Sequence, residues 1–150
     1  MLQIRPIKFF VKALEVGALD EMDLQLPDRD PLMSLEAVRI NDTSVGIHLH
    51  LKVIVQEKIG MKLTYVVDFQ VADSIVEDFK VTTETLADTF LQVNAPAIAY
   101  PYLRAYVTTI CVNSGYTPLL LPPVNFQAIF NEKRKAQKPV TGIIDVTKPS

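Results

Sequence analysis

The sequence predicts an α+β domain in which an antiparallel sheet is followed by helices that lie on one of its faces. Residues 45–71 alternate between apolar and polar side chains with a period of two, which is typical of half-buried strands. Residues 83–138 instead place their apolar side chains at helical spacing. Strands that precede helices in a chain of 150 residues favour one α+β domain, so we treat 1–150 as a single unit.

The two central strands are the clearest elements. On the first of them, the apolar side chains occupy alternate positions: Ile47, Leu49, Leu51, Val53 and Val55. After a turn at Lys58-Ile59-Gly60, the same alternation continues from Met61 to Val71. The short connection predicts an antiparallel hairpin with one buried face.

Two further strands precede this hairpin and complete a four-stranded sheet. Residues Ile4–Val16 and Leu35–Ile40 have weaker but recognisable strand patterns. The acidic segment 19–31 separates them and contains two prolines. Because this segment is too long for a hairpin turn, we expect a crossover between the first and second strands.

Helical spacing dominates the second half of the chain. Residues 83–92 have a helical pattern that we expect Asn94-Ala95-Pro96 to interrupt. A helix is expected to begin near Pro101 and to end at Gly115, a typical residue just beyond a helix C-terminus. A last helix is expected over 124–138, and both C-terminal helices are predicted to pack on one face of the sheet.

Composition limits the possible functions. Apolar residues make up 49% and charged residues 21%, which is typical of a globular protein. A net charge of −2 and the absence of a long apolar window predict neither nucleic-acid binding nor integral membrane association. The lone Cys111 and the lack of a signal-peptide pattern favour the cytoplasm. The basic residues near 132–138 fit a solvated helix end, and 136–150 is predicted to be a flexible tail.

Few residues suggest catalysis or metal binding. His48 and His50 project to the same side of their predicted strand, a spacing that can begin a zinc site. Asp68 is the only third ligand that the sequence offers, and its register is unknown, so solvated histidines are favoured. Cys111 lies within an apolar helical stripe, where a buried, unreactive thiol is usual. We therefore predict no catalytic residue, metal or cofactor; a ligand-binding domain or enzyme that uses His48, His50 or Asp68 is the weaker alternative.

Apolar residues outside the regular elements are more informative. Leu24, Leu26, Leu32 and Met33 flank the acidic crossover, and the leucines 119–121 stand between Pro118 and the pair Pro122-Pro123. Some of these side chains are expected in the core, but one domain has limited room for all of them. Exposed apolar surface of this kind marks an interface or a binding groove.

Residues 94–130 resemble the C-terminal half of SecB, the bacterial protein-export chaperone. Their sequence is NAPAIAYPYLRAYVTTICVNSGYTPLLLPPVNFQAIF. The shared features are Pro101-Tyr102 with Arg104 at a helix start, Gly115 at its end, a proline-leucine loop, and 123–126 at the beginning of the last helix. Earlier in the chain the resemblance is looser, and it rests on 10–12 and on the register of 66–70.

This resemblance implies a function and a set of binding residues. SecB proteins assemble as a dimer of dimers, a homotetramer, hold unfolded precursor polypeptides and pass them to the SecA motor; no cofactor is implied. Carried over to this chain, the client-binding residues are Leu24, Leu26, Leu32, Met33, Leu119, Leu120, Leu121, Val124, Phe126 and Phe130. The acidic residues implied for SecA binding are Asp68 and Glu15.

The chain also departs from the family pattern. The acidic first-strand positions carry Ala13 and Gly17, tryptophan is absent, and the tail is basic. These departures keep two alternatives open: a SecB-like chaperone for another partner, such as an antitoxin, and a scaffolding subunit with one permanent partner.

Overall fold

In the part of the chain that the structure describes, the sheet has five strands in the order β1-β4-β3-β2-β5, and every neighbouring pair is antiparallel. A computed structural model describes residues 1–26, 29–135 and 142–145. In these residues the strands are β1 (Leu2–Ala18), β2 (Leu32–Asn41), β3 (Ser44–Gln56), β4 (Ile59–Asp73) and β5 (Gly142–Asp145), and the α-helices are α1 (Thr83–Leu86), α2 (Thr89–Asn113) and α3 (Phe126–Lys135). The predicted α+β class, with four strands before the helices, is confirmed.

The hairpin of β3 and β4 forms the centre of the sheet. Its alternation is confirmed, because Ile47, Leu49 and Leu51 are buried on the face that α2 covers, which we call the inner face. His48, His50 and Lys52 project from the opposite, outer face. The turn at its end is tight, and Glu57 adopts a positive φ of 34° there.

Strand β1 pairs with β4 rather than with β2, so the predicted crossover between the first two strands is confirmed. It is an edge strand among the described residues, which suits Pro6, since proline cannot donate a ladder hydrogen bond. The register shifts directly after Pro6 and again after Val11, and these irregularities bend the strand. A 3₁₀ turn at Leu19–Glu21 then begins the crossover.

Helix α2 differs from the prediction, because it runs without interruption through both Pro96 and Pro101. The expected break at Asn94-Ala95-Pro96 is therefore wrong, as is the expected helix start at Pro101. A proline inside a helix costs about 3 kcal/mol, because it removes one backbone hydrogen bond and crowds the preceding turn. Burial offsets this cost: the side chains that α2 packs against the inner face are fully buried, namely Leu91, Ala95, Ala99, Leu103, Val107 and Cys111.

The end of α2 follows the prediction. Gly115 has a positive φ of 87°, and the amides of Gly115 and Tyr116 bond back to Val112 and Cys111, which is the pattern of a Schellman cap. Helix α3 then packs on α2. The sheet and α2 thus form one hydrophobic core, against which α3 adds a second helical layer.

Strand β5 was not predicted. It pairs with the start of β2, from Leu32 to Leu35, and so extends the sheet beyond its four predicted strands. The prediction of a flexible tail over 136–150 falls mostly on residues outside the described ranges, since 136–141 and 146–150 are not among them.

Candidate functional site

The crossover lies against the end of the β3–β4 hairpin. The backbone amide of Leu19 donates to the carbonyl of Lys58 at 2.8 Å, and the Arg29 guanidinium donates to the carbonyl of Glu57 at 2.6 Å. The side chains of Leu19 and Leu24 occupy the space above Gly60, where any Cβ would stand within 2.7 Å of a leucine methyl carbon. A larger residue at this position would therefore have to displace one or both leucine side chains, so glycine lets the crossover pack closely on β4.

The predicted client-binding residues of this region are not equally accessible. Leu24 and Leu26 in the crossover are half-buried. Leu32 and Met33 begin β2 and point to opposite faces of the sheet, since side chains alternate along a strand. Met33 is fully buried on the inner face, whereas Leu32 is half-buried.

The segment Gly115–Asn125, which we call the proline-leucine loop, presents its three leucines in three different ways. Leu119 is half-buried against the core, Leu120 is 77% exposed, and Leu121 is 2% exposed. Neighbouring leucines therefore differ in solvent exposure. Within this single chain, only the middle one is freely accessible.

Three side chains of α2 hold the backbone of this loop. The Thr108 hydroxyl donates to the carbonyl of Leu119 at 2.8 Å, and Arg104 Nε donates to the carbonyl of Leu121 at 2.9 Å. The Tyr100 hydroxyl donates to the carbonyl of Pro122 at 2.6 Å. Because residues four apart lie on one face of a helix, Tyr100, Arg104 and Thr108 form a row along α2, which we call the carbonyl row.

The carbonyl row was not predicted, although its four-residue spacing is visible in the sequence; Tyr100 also lies just before the expected helix start at Pro101. What the sequence lacks is the partner, because backbone carbonyls carry no sequence signal. Burial raises the pKa of Tyr100 to about 12, more than the nearby Arg104 charge lowers it, so the phenol remains a donor well above neutral pH.

The loop reaches the same end of the sheet as the crossover. The amide of Thr117 donates to the side chain of Gln56 at 3.0 Å, and Gln56 is the last residue of β3. Beyond the loop, Phe126 is buried and its ring meets that of Tyr100 edge-on at 5.8 Å. Val124 and Phe130 are half-buried. The structure thus brings the crossover and the start of the loop to one end of the hairpin. Leu120 is the most exposed of the predicted client-binding residues.

The two predicted SecA-binding residues lie on the outer face. Asp68 on β4 stands opposite Lys8, and Glu15 on β1 stands opposite Lys62. Lys62 and Asp68 are six residues apart on one strand, so the two acidic positions are separated by about 20 Å. A groove of about 300 Å³ on this side is lined in part by Glu15, Lys62, Lys52 and His50.

The histidine pair also lies on the outer face, next to a third potential ligand. Glu36 on β2 stands directly opposite His48, and its carboxylate lies 3.4 Å from His50 Nε2. Asp68 was the candidate third ligand from the sequence, but the cluster contains Glu36 instead. Burial lowers the pKa of His48, and the nearby charge of Lys12 adds to that effect.

Cys111 is fully buried in α2, as its position in the apolar stripe predicts. Burial raises the pKa of its thiol, which disfavours the reactive thiolate. No helix among the described residues combines the length and the apolar composition that crossing a membrane requires.

These features define an α+β protein with accessible apolar side chains at one end of its sheet and a largely polar outer face. A family model described as "Preprotein translocase subunit SecB" matches residues 7–137. The chain belongs to the SecB family.

Individual relatives agree with this assignment. A protein-export protein SecB from Thiobacillus denitrificans is 30% identical over 139 residues, which cover 90% of this chain and 89% of the relative. A protein-export protein SecB from Methylobacillus flagellatus is 26% identical over 137 residues, which cover 90% of this chain and 86% of the relative.

Among solved structures, a SecB-like chaperone from Mycobacterium tuberculosis, in complex with a peptide from an antitoxin, has a similar fold. The TM-score is 0.60 at 14% sequence identity, and the match covers 81% of this chain and 87% of that chain. At this identity the similarity concerns the fold alone.

Proposed function

We propose that this protein is an ATP-independent holdase, a non-enzymatic chaperone that binds unfolded preproteins and delivers them to the Sec translocase through SecA. Membership of the SecB family and relatives named as protein-export proteins support this function. The observation in the structure that carries the proposal is the exposed Leu120, which lies between two residues whose carbonyls are held by α2.

The physical argument concerns how an apolar side chain can remain in water. An exposed leucine gains roughly 2 kcal/mol when a ligand covers it. Leu120 has a backbone that is already ordered by Thr108 and Arg104, so little conformational entropy is lost when a client binds. A preorganised apolar surface without precisely placed polar groups suits a protein that must accept many sequences.

The proposed client site combines Leu120 with the half-buried members of the predicted client-binding set: Leu24, Leu26, Leu32, Leu119, Val124 and Phe130. Met33, Leu121 and Phe126 are buried within the chain, so in this conformation they do not present their side chains to a client. A client that reaches them must first displace other side chains.

The proposed assembly is a homotetramer in the cytoplasm. Apolar side chains of β1 remain accessible in the single chain, with Ile7 50%, Phe9 38% and Leu14 39% exposed. The Phe9 ring lies 4.4 Å from that of Tyr102 on α2, which is 49% exposed, so the patch spans a strand and a helix. Exposed apolar side chains of this kind support association between copies of the chain.

SecA is the proposed receiving partner, through Asp68 and Glu15 on the outer face. Each acidic side chain has a lysine opposite it, Lys8 and Lys62 respectively. A partner that binds this surface must therefore match alternating charge, and its association is expected to weaken with salt.

Native mass measurement tests the assembly and the function together. We expect a tetramer that gains the mass of a reduced, unfolded model preprotein, and that also binds SecA. A chain that stays monomeric, or a tetramer that never takes up an unfolded client at excess, would refute the corresponding part of the proposal. Tight binding of one folded protein or one antitoxin, with no uptake of unfolded clients, would favour the alternatives.

Leu120→Ser tests the site itself. We expect about a tenfold weaker Kd for the unfolded client, which corresponds to about 1.4 kcal/mol, with a free energy of unfolding unchanged within about 0.5 kcal/mol. Ile75→Ser is the matched control, because Ile75 is 81% exposed and follows β4, outside the proposed site. Equal effects of the two substitutions on client affinity would contradict the assignment of Leu120.

A further inference from the structure

The outer face contains a cluster of side chains that chaperone function does not require. Strand register places Glu36 opposite His48, and His48 and His50 project to the same side because they are two residues apart. One ligand atom from each of the three residues lies within 4.8 Å of the other two. The cluster therefore joins two strands, β2 and β3, through side chains that can all bind a metal.

The spacing fits a tetrahedral ion. Nitrogen and oxygen ligands lie about 2.0–2.1 Å from zinc, so two ligands of a tetrahedral site are about 3.3 Å apart. The Glu36 carboxylate and His50 Nε2 are already 3.4 Å apart. Small side-chain rotations bring the remaining pairs from at most 4.8 Å to that distance, and the 52% exposed Glu36 side chain is free to make them.

A fourth residue can orient one of the ligands. The Nδ1 atom of His50 lies 2.9 Å from the hydroxyl of Thr64, its neighbour on β4. When Nδ1 carries the proton and donates to this hydroxyl, Nε2 has a free lone pair on the side of Glu36. Such outer hydrogen bonds fix the tautomer and ring orientation of metal-binding histidines.

We propose that Glu36, His48 and His50 form a binding site for a zinc-type divalent transition metal, with Thr64 as the positioning residue of His50. Three protein ligands leave one coordination position for water or for a group from another molecule. The two imidazoles exclude calcium and magnesium as the preferred occupants, since those ions favour oxygen ligands. The site is reachable from solvent, because the side chains of His50 and Glu36 are 38% and 52% exposed.

The chain makes this proposal easy to test, because its only two histidines are both in the cluster. Metal-free full-length protein is titrated with ZnCl₂ by calorimetry and with CoCl₂ by visible absorption. We expect saturable binding of one ion per chain, the intense visible bands of four-coordinate Co²⁺, and no competition from MgCl₂. Absence of saturable zinc binding by the unaltered protein would overturn the proposal.

Variants assign the ligands. His48→Ala and His50→Ala are each expected to abolish saturable binding. Thr64→Val is expected to weaken it by roughly 10–100-fold, and Glu36→Gln, which removes a charged ligand, by at least as much. Glu84→Gln, an exposed carboxylate on α1, is the matched control and should bind like the unaltered protein. Zinc affinity that survives either histidine substitution in a folded variant, as judged by circular dichroism, would also overturn the site.

Discussion

Helix α2 and the proline-leucine loop are consecutive in the chain and both contain prolines, but different contacts stabilise their backbones. Helix α2 contains Pro96 and Pro101 and stays helical, because its inner side is buried against the sheet. The proline-leucine loop has Pro118, Pro122 and Pro123 and no regular structure, yet its carbonyls are bonded to α2. Proline therefore does not decide the conformation by itself. The partners available to the surrounding backbone and side chains decide it.

The largest expected effect separates the two adjacent leucines of the loop. Leu121→Ala is expected to lower the free energy of unfolding by about 2–5 kcal/mol, because it empties a buried position. Leu120→Ala is expected to change it by less than about 0.5 kcal/mol, since that side chain is exposed. Denaturant unfolding at one fixed protein concentration measures both. Equal costs would mean that the loop does not insert its leucines as the structure describes.

The next effect concerns Tyr100, which connects α2 to the loop. In the unfolded chain a tyrosine titrates near pH 10, whereas burial raises the pKa of Tyr100 to about 12 in the folded protein. Below pH 10 both states keep the proton, so its titration leaves stability constant. Between these values only the folded state keeps the proton, and stability falls by roughly 2–3 kcal/mol as the pH rises.

Tyr100→Phe removes this titration and the hydrogen bond to Pro122. We expect the variant to be less stable than the unaltered protein at neutral pH, and the difference to shrink as the pH rises above about 10. Urea unfolding of both proteins across that range measures the difference. Tyr65, whose pKa is also raised by burial, is present in both proteins, so its titration cancels in the comparison. A difference that stays constant with pH would show that Tyr100 is not buried and bonded in this way.

The smallest expected effect is a change in stability that has opposite signs for a proline in α2 and a proline in the loop. Pro101 is exposed on α2, so Pro101→Ala restores a helical hydrogen bond without losing buried surface and is expected to stabilise the protein by about 1 kcal/mol or more. Pro118 in the loop is also exposed, but Pro118→Ala restores no helical bond and makes the unfolded chain more flexible. It is expected to destabilise by about 0.4–1 kcal/mol. The same sign for both substitutions, measured by denaturant midpoint, would remove the distinction.

The sequence predicted those elements whose signal is local. The alternation along β3 and β4 and the glycine at the end of α2 are visible in the order of residues, and the structure confirms them. The break at Pro96 was wrong because helix propensity is a local quantity, whereas burial of Ala95 and Ala99 against the sheet is not.

The histidine cluster and the proline-leucine loop depend more strongly on long-range contacts than these elements do. His48 and His50 are visible as a pair in the sequence, but Glu36 becomes their neighbour only through the register of β2 and β3. Likewise, nothing in the leucines 119–121 shows which of them α2 turns outward. Register and side-chain-to-backbone bonds couple distant residues, and a single sequence without its fold carries no direct record of them.

The carbonyl row affects which substitutions this protein can accept during evolution. Every residue carries the same backbone carbonyl, so Tyr100, Arg104 and Thr108 hold the loop by groups that no substitution within it removes. The side chain at position 120 can therefore vary in size or polarity while the loop keeps its path. Substitutions there can retune which molecules the loop attracts at little cost to the fold.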